Sequence, residues 1–182
     1  MHTIRDNPAM VRYVPRLLQP ERPGKSAVEV RDPGGSRYDL TDPHLAGQLG
    51  AGVRLMRLDR GTFDAMTVSV ITTCTVSALC GLAGVAENEL RFRPNIGITP
   101  VSGASFAEDQ WAGAVLRIGG AAIRVDRRDI RCVVVNVSPG TGHRDASLMK
   151  VVGRYRRARA GVYGSTVMPG VIRVGDRLTV GP

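Results

Sequence analysis

From Asn95 to the C-terminus the chain is a succession of short apolar stretches cut by glycine turns, and this pattern constrains its fold more than any other. Ala114–Ile118, Ala121–Val125 and Ile130–Val137 read as strands, the first pair separated by Gly119-Gly120. Gly161–Met168 and Val171–Val180 follow, broken by Pro169-Gly170 and by Gly175-Asp176. Strands this short and this closely spaced leave no room for helical crossovers, so a doubly wound parallel sheet is excluded. Helical patterns are few. Thr75–Leu82 follows a capping Thr72 or Thr73 and ends before Gly84, and Asp145–Val152 reads as a short amphipathic helix. The expectation is a mainly β, α+β fold, with a β-barrel-like core of short strands and two or three inserted helices.

Upstream, Met1 to Lys25 carries four prolines without a period, which predicts an extended arm at 1–25 before a domain at 26–182. Ala27–Arg31 and Arg37–Leu40 alternate around Asp32-Pro33-Gly34-Gly35, a hairpin pattern. Asp42-Pro43 opens a short helix to Gly50, Val53–Leu58 returns to strand, and Thr67–Ile71 is strand again. No apolar run is long enough to span a bilayer, and the N-terminus has no apolar signal core, so a cytoplasmic location is expected. Cys74, Cys80 and Cys132 are odd in number and lack finger spacing, against both a disulfide framework and a structural zinc site. Cys74 and Cys80 fall on one helix and read as core or groove fillers.

The formal charge of +9 raises the question of nucleic acid. The cations are almost all arginine, with Lys25 and Lys150 the only lysines, and the one dense cluster is Arg154, Arg156, Arg157 and Arg159. That cluster ends a helix, where the macrodipole favours positive charge, and aromatics are too few to stack bases, Tyr155 being the one within it. A solvated helix end is the simpler reading, and the pattern argues against a nucleic-acid partner.

Two segments carry chemistry. Arg131-Cys132 places a thiol beside a guanidinium, which favours the thiolate, a ligand for transition metals; the plain alternative is a small buried hydrophobe. Arg91-Phe92-Arg93-Pro94-Asn95, read as extended, puts both arginines on one face as a fork for phosphate or another oxyanion. The alternative there is a pair of solvated arginines. Gly140-Thr141-Gly142 lacks the lysine and helix start of a phosphate loop. His2, His44 and His143 are scattered, and His143 reads as a surface turn residue.

Taken in order, Arg91-Phe92-Arg93-Pro94-Asn95, Phe106-Ala107-Glu108-Asp109-Gln110-Trp111, Leu116-Arg117-Ile118-Gly119, Arg131-Cys132 and Pro169–Asp176 resemble the MOSC domain. Phe63-Asp64-Ala65 and Val70–Leu79 look like its first strand and helix, so the resemblance runs from about Arg54 onward. The family includes the C-terminal domain of molybdenum-cofactor sulfurases and the mitochondrial amidoxime-reducing component. The resemblance implies a molybdenum cofactor (Mo-molybdopterin) contacted by Arg91, Arg93, Asn95 and Arg131, with Cys132 as metal ligand and catalytic centre. It also implies that Glu108-Asp109 anchors a loop with Trp111 packed beneath.

Two features depart from the family pattern. The Tyr-Pro-Val-Lys-Ser-like phosphate grip of a preceding β-rich half has no counterpart, and Ser138 and Gly140 stand where acidic residues are usual. The implied function is an oxidoreductase acting on an N-hydroxylated or related small-molecule substrate, supplied by an electron-donor protein or completed by a second subunit. The alternatives are a carrier of the cofactor, or of sulfur as a Cys132 persulfide, and a metal-free domain binding an anionic ligand or partner.

Overall fold

The computed structural model describes residues 3–56 and 68–182. It divides into two compact units, residues 1–62 with 137–144, and residues 63–136 with 145–182.

The smaller unit holds a three-stranded antiparallel sheet in the order β1 (Val14–Leu17), β2 (Val28–Arg31), β3 (Arg37–Asp39). The hairpin is where the alternation put it. Its third strand is not: β1 comes from the stretch expected as an extended arm, with Pro15 at the sheet edge where its missing N–H is harmless. Helix α1 (Pro43–Leu49) starts as expected, with Asp42 accepting from the His44 N–H at 2.8 Å and proline at its first turn. Val53–Met56 carries no strand, and the remainder of that expected strand lies outside the described residues, as does Phe63-Asp64-Ala65.

The larger unit is a curled, half-barrel sheet of six strands in the order β5-β4-β8-β7-β6-β9. These are β4 (Val68–Thr72), β5 (Ile96–Ile98), β6 (Val115–Ile118), β7 (Ala121–Ile130), β8 (Arg159–Met168) and β9 (Leu178–Gly181). Only β4 and β5 run parallel. The two inserted helices are α2 (Thr73–Ala83) and α3 (Ser147–Arg156). Neighbouring β4 residues point to opposite faces, and each face is covered. Ile71 packs with Val76, Leu79, Phe92, Leu148 and Val152 beneath the helices, while Val70 packs with Leu116, Ile123, Val125 and Val162, with Trp111 at the edge. The fold is thus the expected mainly β, α+β architecture.

Two elements differ. β7 runs five residues past Val125, and the segment expected as a strand from Ile130 to Val137 becomes a 3-10 turn at Val133–Asn136. The partner strand explains the second change. Arg157 and Ala158 both take positive φ (50° and 60°), so β8 supplies no ladder beyond Arg159. Residues 171–177 likewise form turn and coil, leaving a short β9. Among the described residues no helix is long and apolar enough to cross a membrane.

Gly161 is a tight requirement in the larger sheet. Its φ is +75°, and a Cβ there would lie 2.6 Å from the Val70 carbonyl oxygen and 3.1 Å from Arg131 Nη2. Left-handed strain and the clash together predict that Gly161→Ala lowers stability by about 3 kcal/mol. Chemical denaturation checks this, and a loss below about 0.5 kcal/mol would show that the strands do not approach this closely.

Candidate functional site

Arg131 follows the end of β7 and turns its guanidinium into the protein, where it is 8% exposed. Its Nε donates to the Ala160 carbonyl at 2.7 Å and its Nη1 to the Phe92 carbonyl at 2.5 Å. Nη2 lies 2.7 Å from Asp129 Oδ2, an ion pair too bent to count as a hydrogen bond. Asp129 is fully buried and also accepts from Ser69 Oγ on β4 at 2.9 Å. A β-bulge between Arg128 and Ile130 allows an acid so close to arginines to face inward. Burial pushes the Asp129 carboxyl up and the Arg131 guanidinium down, in each case against the attraction of the other. Tyr163 lies on β8, and its hydroxyl is raised to about 12 by burial and by the nearby Asp129 charge.

With Arg131 committed inward, the next residue is left at the surface. Cys132 is exposed, and its carbonyl accepts from the Val135 N–H at 3.2 Å to start the 3-10 turn. Exposed Ile130 and Val133 flank it. The Asn136 side chain closes that turn onto α3 by accepting from the Met149 N–H at 2.9 Å.

The second segment reaches the same place by a different shape from the one the sequence suggests. Asn88 caps a 3-10 turn at Glu89–Phe92, accepting from the Leu90 N–H at 2.9 Å, and Phe92 is buried in the core. Pro94 bars the right-handed helix at Arg93, and the chain leaves through the left-handed region at φ 49° instead of extending. The two guanidiniums therefore do not share a face. Arg91 is 8% exposed; its Nη1 donates to the Val135 carbonyl at a long 3.4 Å, and its buried Nε has no hydrogen-bond partner. Arg93 is exposed. The Asn95 side chain is spent on β4, accepting from the Ser69 N–H at 2.9 Å.

The structure thus gathers the segments of Arg91, Arg131 and Cys132, joined through the Phe92 and Val135 carbonyls, with Arg93 at the end of the adjoining turn. The Glu108-Asp109 pair anchors its loop as expected. Glu108 is fully buried and accepts from Thr72 Oγ1 at 2.9 Å, and Asp109 pairs with Arg128 at 2.9 Å and with Arg156. Cys80 is buried and Cys74 half-buried, and His143 is exposed in its turn. Asp129, Ser69 and Tyr163 carry no sequence signal for this role, since Asp129 sits in a run of charges that reads as solvent-facing.

The model of the MOSC domain matches residues 65–179, and the chain belongs to that family. No curated protein matches the chain. Among solved structures it is similar to the YuaD protein from Bacillus subtilis, with a TM-score of 0.50 and 14% identity over 65% of each chain. It is also similar to YiiM from Geobacillus stearothermophilus, with a TM-score of 0.47 and 14% identity over 64% of this chain. The chain spans 65% of the length of YuaD and 55% of that of YiiM.

Two predictions follow from the buried network. Asp129→Ala strands a buried cation and is expected to cost about 3–5 kcal/mol in a denaturant melt; a loss under about 1 kcal/mol would mean that the pair is solvated. One of the four tyrosines should ionise near pH 12, seen as a late ultraviolet phase that Tyr163→Phe removes. The folded state keeps this proton while the unfolded chain loses it from about pH 10, so the contribution of Tyr163 to stability is lost as pH rises from 10 to 12. Four tyrosines titrating together near 10 would contradict the Asp129 contact.

Proposed function

We propose that the protein binds a molybdenum cofactor through Cys132 and reduces N-hydroxylated or related small molecules. The observation that carries this reading is an exposed thiol fixed by a buried guanidinium, next to a second buried guanidinium with an unpartnered donor. Among the described residues no three His, Cys, Asp or Glu side chains cluster as a metal site. A metal that arrives with its own sulfur chelate needs only one thiolate from the protein, and the donor set fits that demand.

In this reading Cys132 holds the metal, and Arg91 and Arg93 hold the anionic part of the cofactor, Arg91 through its unpartnered Nε edge and Arg93 from the surface. Asn95 fixes the start of β5 beside them. Arg131, whose guanidinium is turned inward onto two carbonyls and Asp129, positions the thiol. When bound, the cofactor supplies a centre that takes up oxygen and electrons. The net reaction breaks one N–O bond, consuming two electrons and two protons and releasing an amine and water, with a separate redox protein as reductant. The cytoplasm, where reduced donors are available, is the proposed location.

Protein made in a cofactor-competent host should contain molybdenum and releasable pterin, and Cys132→Ala should lose most of the metal while melting within about 1 kcal/mol of wild type. Equal, negligible molybdenum in both would contradict the reading. Reduction of a hydroxylamine by an artificial electron donor then separates an enzyme from a carrier of cofactor or of persulfide sulfur.

A further inference from the structure

Helix α3 buries Leu148 and Val152. At about 3.6 residues per turn the opposite side carries Lys150 and Arg154, and Arg157 follows as the left-handed residue that ends the helix. All three are exposed. No residue from Ala146 to Ala160 is acidic, and among the described residues no ion pair neutralises any of the three. Arg154 lies instead over the Tyr155 ring, 5.5 Å from its centroid. Arg156, between them in sequence, is turned inward, paired with Asp109 and stacked 3.9 Å over the Phe106 ring.

The helix dipole accounts for cations in the last turn only, and Lys150 stands above it. A merely solvated face would gain from acidic partners one turn away, and it has none.

The stripe runs to the thiol. The Arg131 N–H donates to the Ala158 carbonyl at 2.7 Å, which ties the residue before Cys132 to the residue after Arg157. On the other side Arg131 holds the Phe92 carbonyl, one residue before exposed Arg93. The thiol therefore sits among apolar Ile130 and Val133 with cations outside them, the layout of a protein interface with an apolar centre and a charged rim. Base stacking finds little here, since Tyr155 is the only aromatic on the stripe and Arg154 covers it.

We propose that Lys150, Arg154 and Arg157 form the docking surface for an acidic one-electron-transfer protein, two molecules of which are each oxidised by one electron for each substrate reduced at the Cys132 centre. This deepens the proposed function and rests on it. Complementary charge would steer the donor and orient it with its redox group over Cys132.

The test titrates an acidic plant-type ferredoxin against the full-length protein at low and at physiological ionic strength. Lys150→Glu/Arg154→Glu/Arg157→Glu is expected to weaken binding by about tenfold or more and to abolish its salt dependence. Arg117→Glu/Arg173→Glu/Arg177→Glu makes the same change in net charge near β6 and β9 and should bind within about twofold of wild type. Lys150→Gln/Arg154→Gln/Arg157→Gly removes the three charges without reversing them and relieves the left-handed residue, so it reports the same loss should the reversed variant fail to fold. Equal weakening by both reversals would overturn the proposal, as would no binding of ferredoxin to wild type at low ionic strength. Tighter binding of phosphatidylserine vesicles or transfer RNA through the same stripe would overturn it too. Metal-free protein serves for the titration, so failure of the molybdenum reading appears in metal content and failure of this proposal in binding.

Discussion

One buried guanidinium organises this end of the molecule. Arg131 reaches β8 through Ala160, the 3-10 turn before Arg93 through Phe92, and β4 through Asp129 and Ser69. Only arginine has enough fixed donors to join so many segments at once. Burying the charge is unfavourable alone, and Asp129 offsets that cost only while the pair stays intact. Gly161 makes the room, since any side chain there would occupy the space taken by Arg131 Nη2 and the Val70 carbonyl. An exposed Cys132 follows from this arrangement, because the chain leaves the core as soon as the arginine is seated.

The distribution of arginines resolves what the net charge of +9 leaves ambiguous. Arg91, Arg128, Arg131 and Arg156 are interior or half-interior cations, engaged with carbonyls, with Asp109 and with Asp129. Arg93, Arg154 and Arg157 remain outside. The first group ties neighbouring segments of the fold together, and the second faces outward. A cluster counted as one in the sequence is two populations in the structure, divided at Arg156.

Much of the fold was legible in the residues. Asp42-Pro43 started α1, Thr72 capped α2 and Gly84 ended it in the left-handed region, because capping is local chemistry. The ordered motifs led to the family, and a β-rich core followed. What stayed hidden was non-local. The strand expected over Ile130–Val137 is cut short because Arg157 and Ala158 end the partner strand, which no property of the segment itself reveals. β1 was missed since proline-rich sequence looks like loop until an edge position excuses the absent N–H. Extended backbone would put Arg91 and Arg93 on one face, and Asn88 and buried Phe92 impose a turn instead. In sequence the charge of Arg131 stands beside Cys132, yet the structure turns that guanidinium inward.

Hydrogen exchange at the Arg131 side chain tests the central claim most directly. Its Nε–H donates to Ala160 from inside the protein, so it should exchange only through global unfolding, with the same denaturant dependence as the most protected amides of β4 and β8. An Nε–H exchanging as fast as that of an exposed arginine would contradict the account.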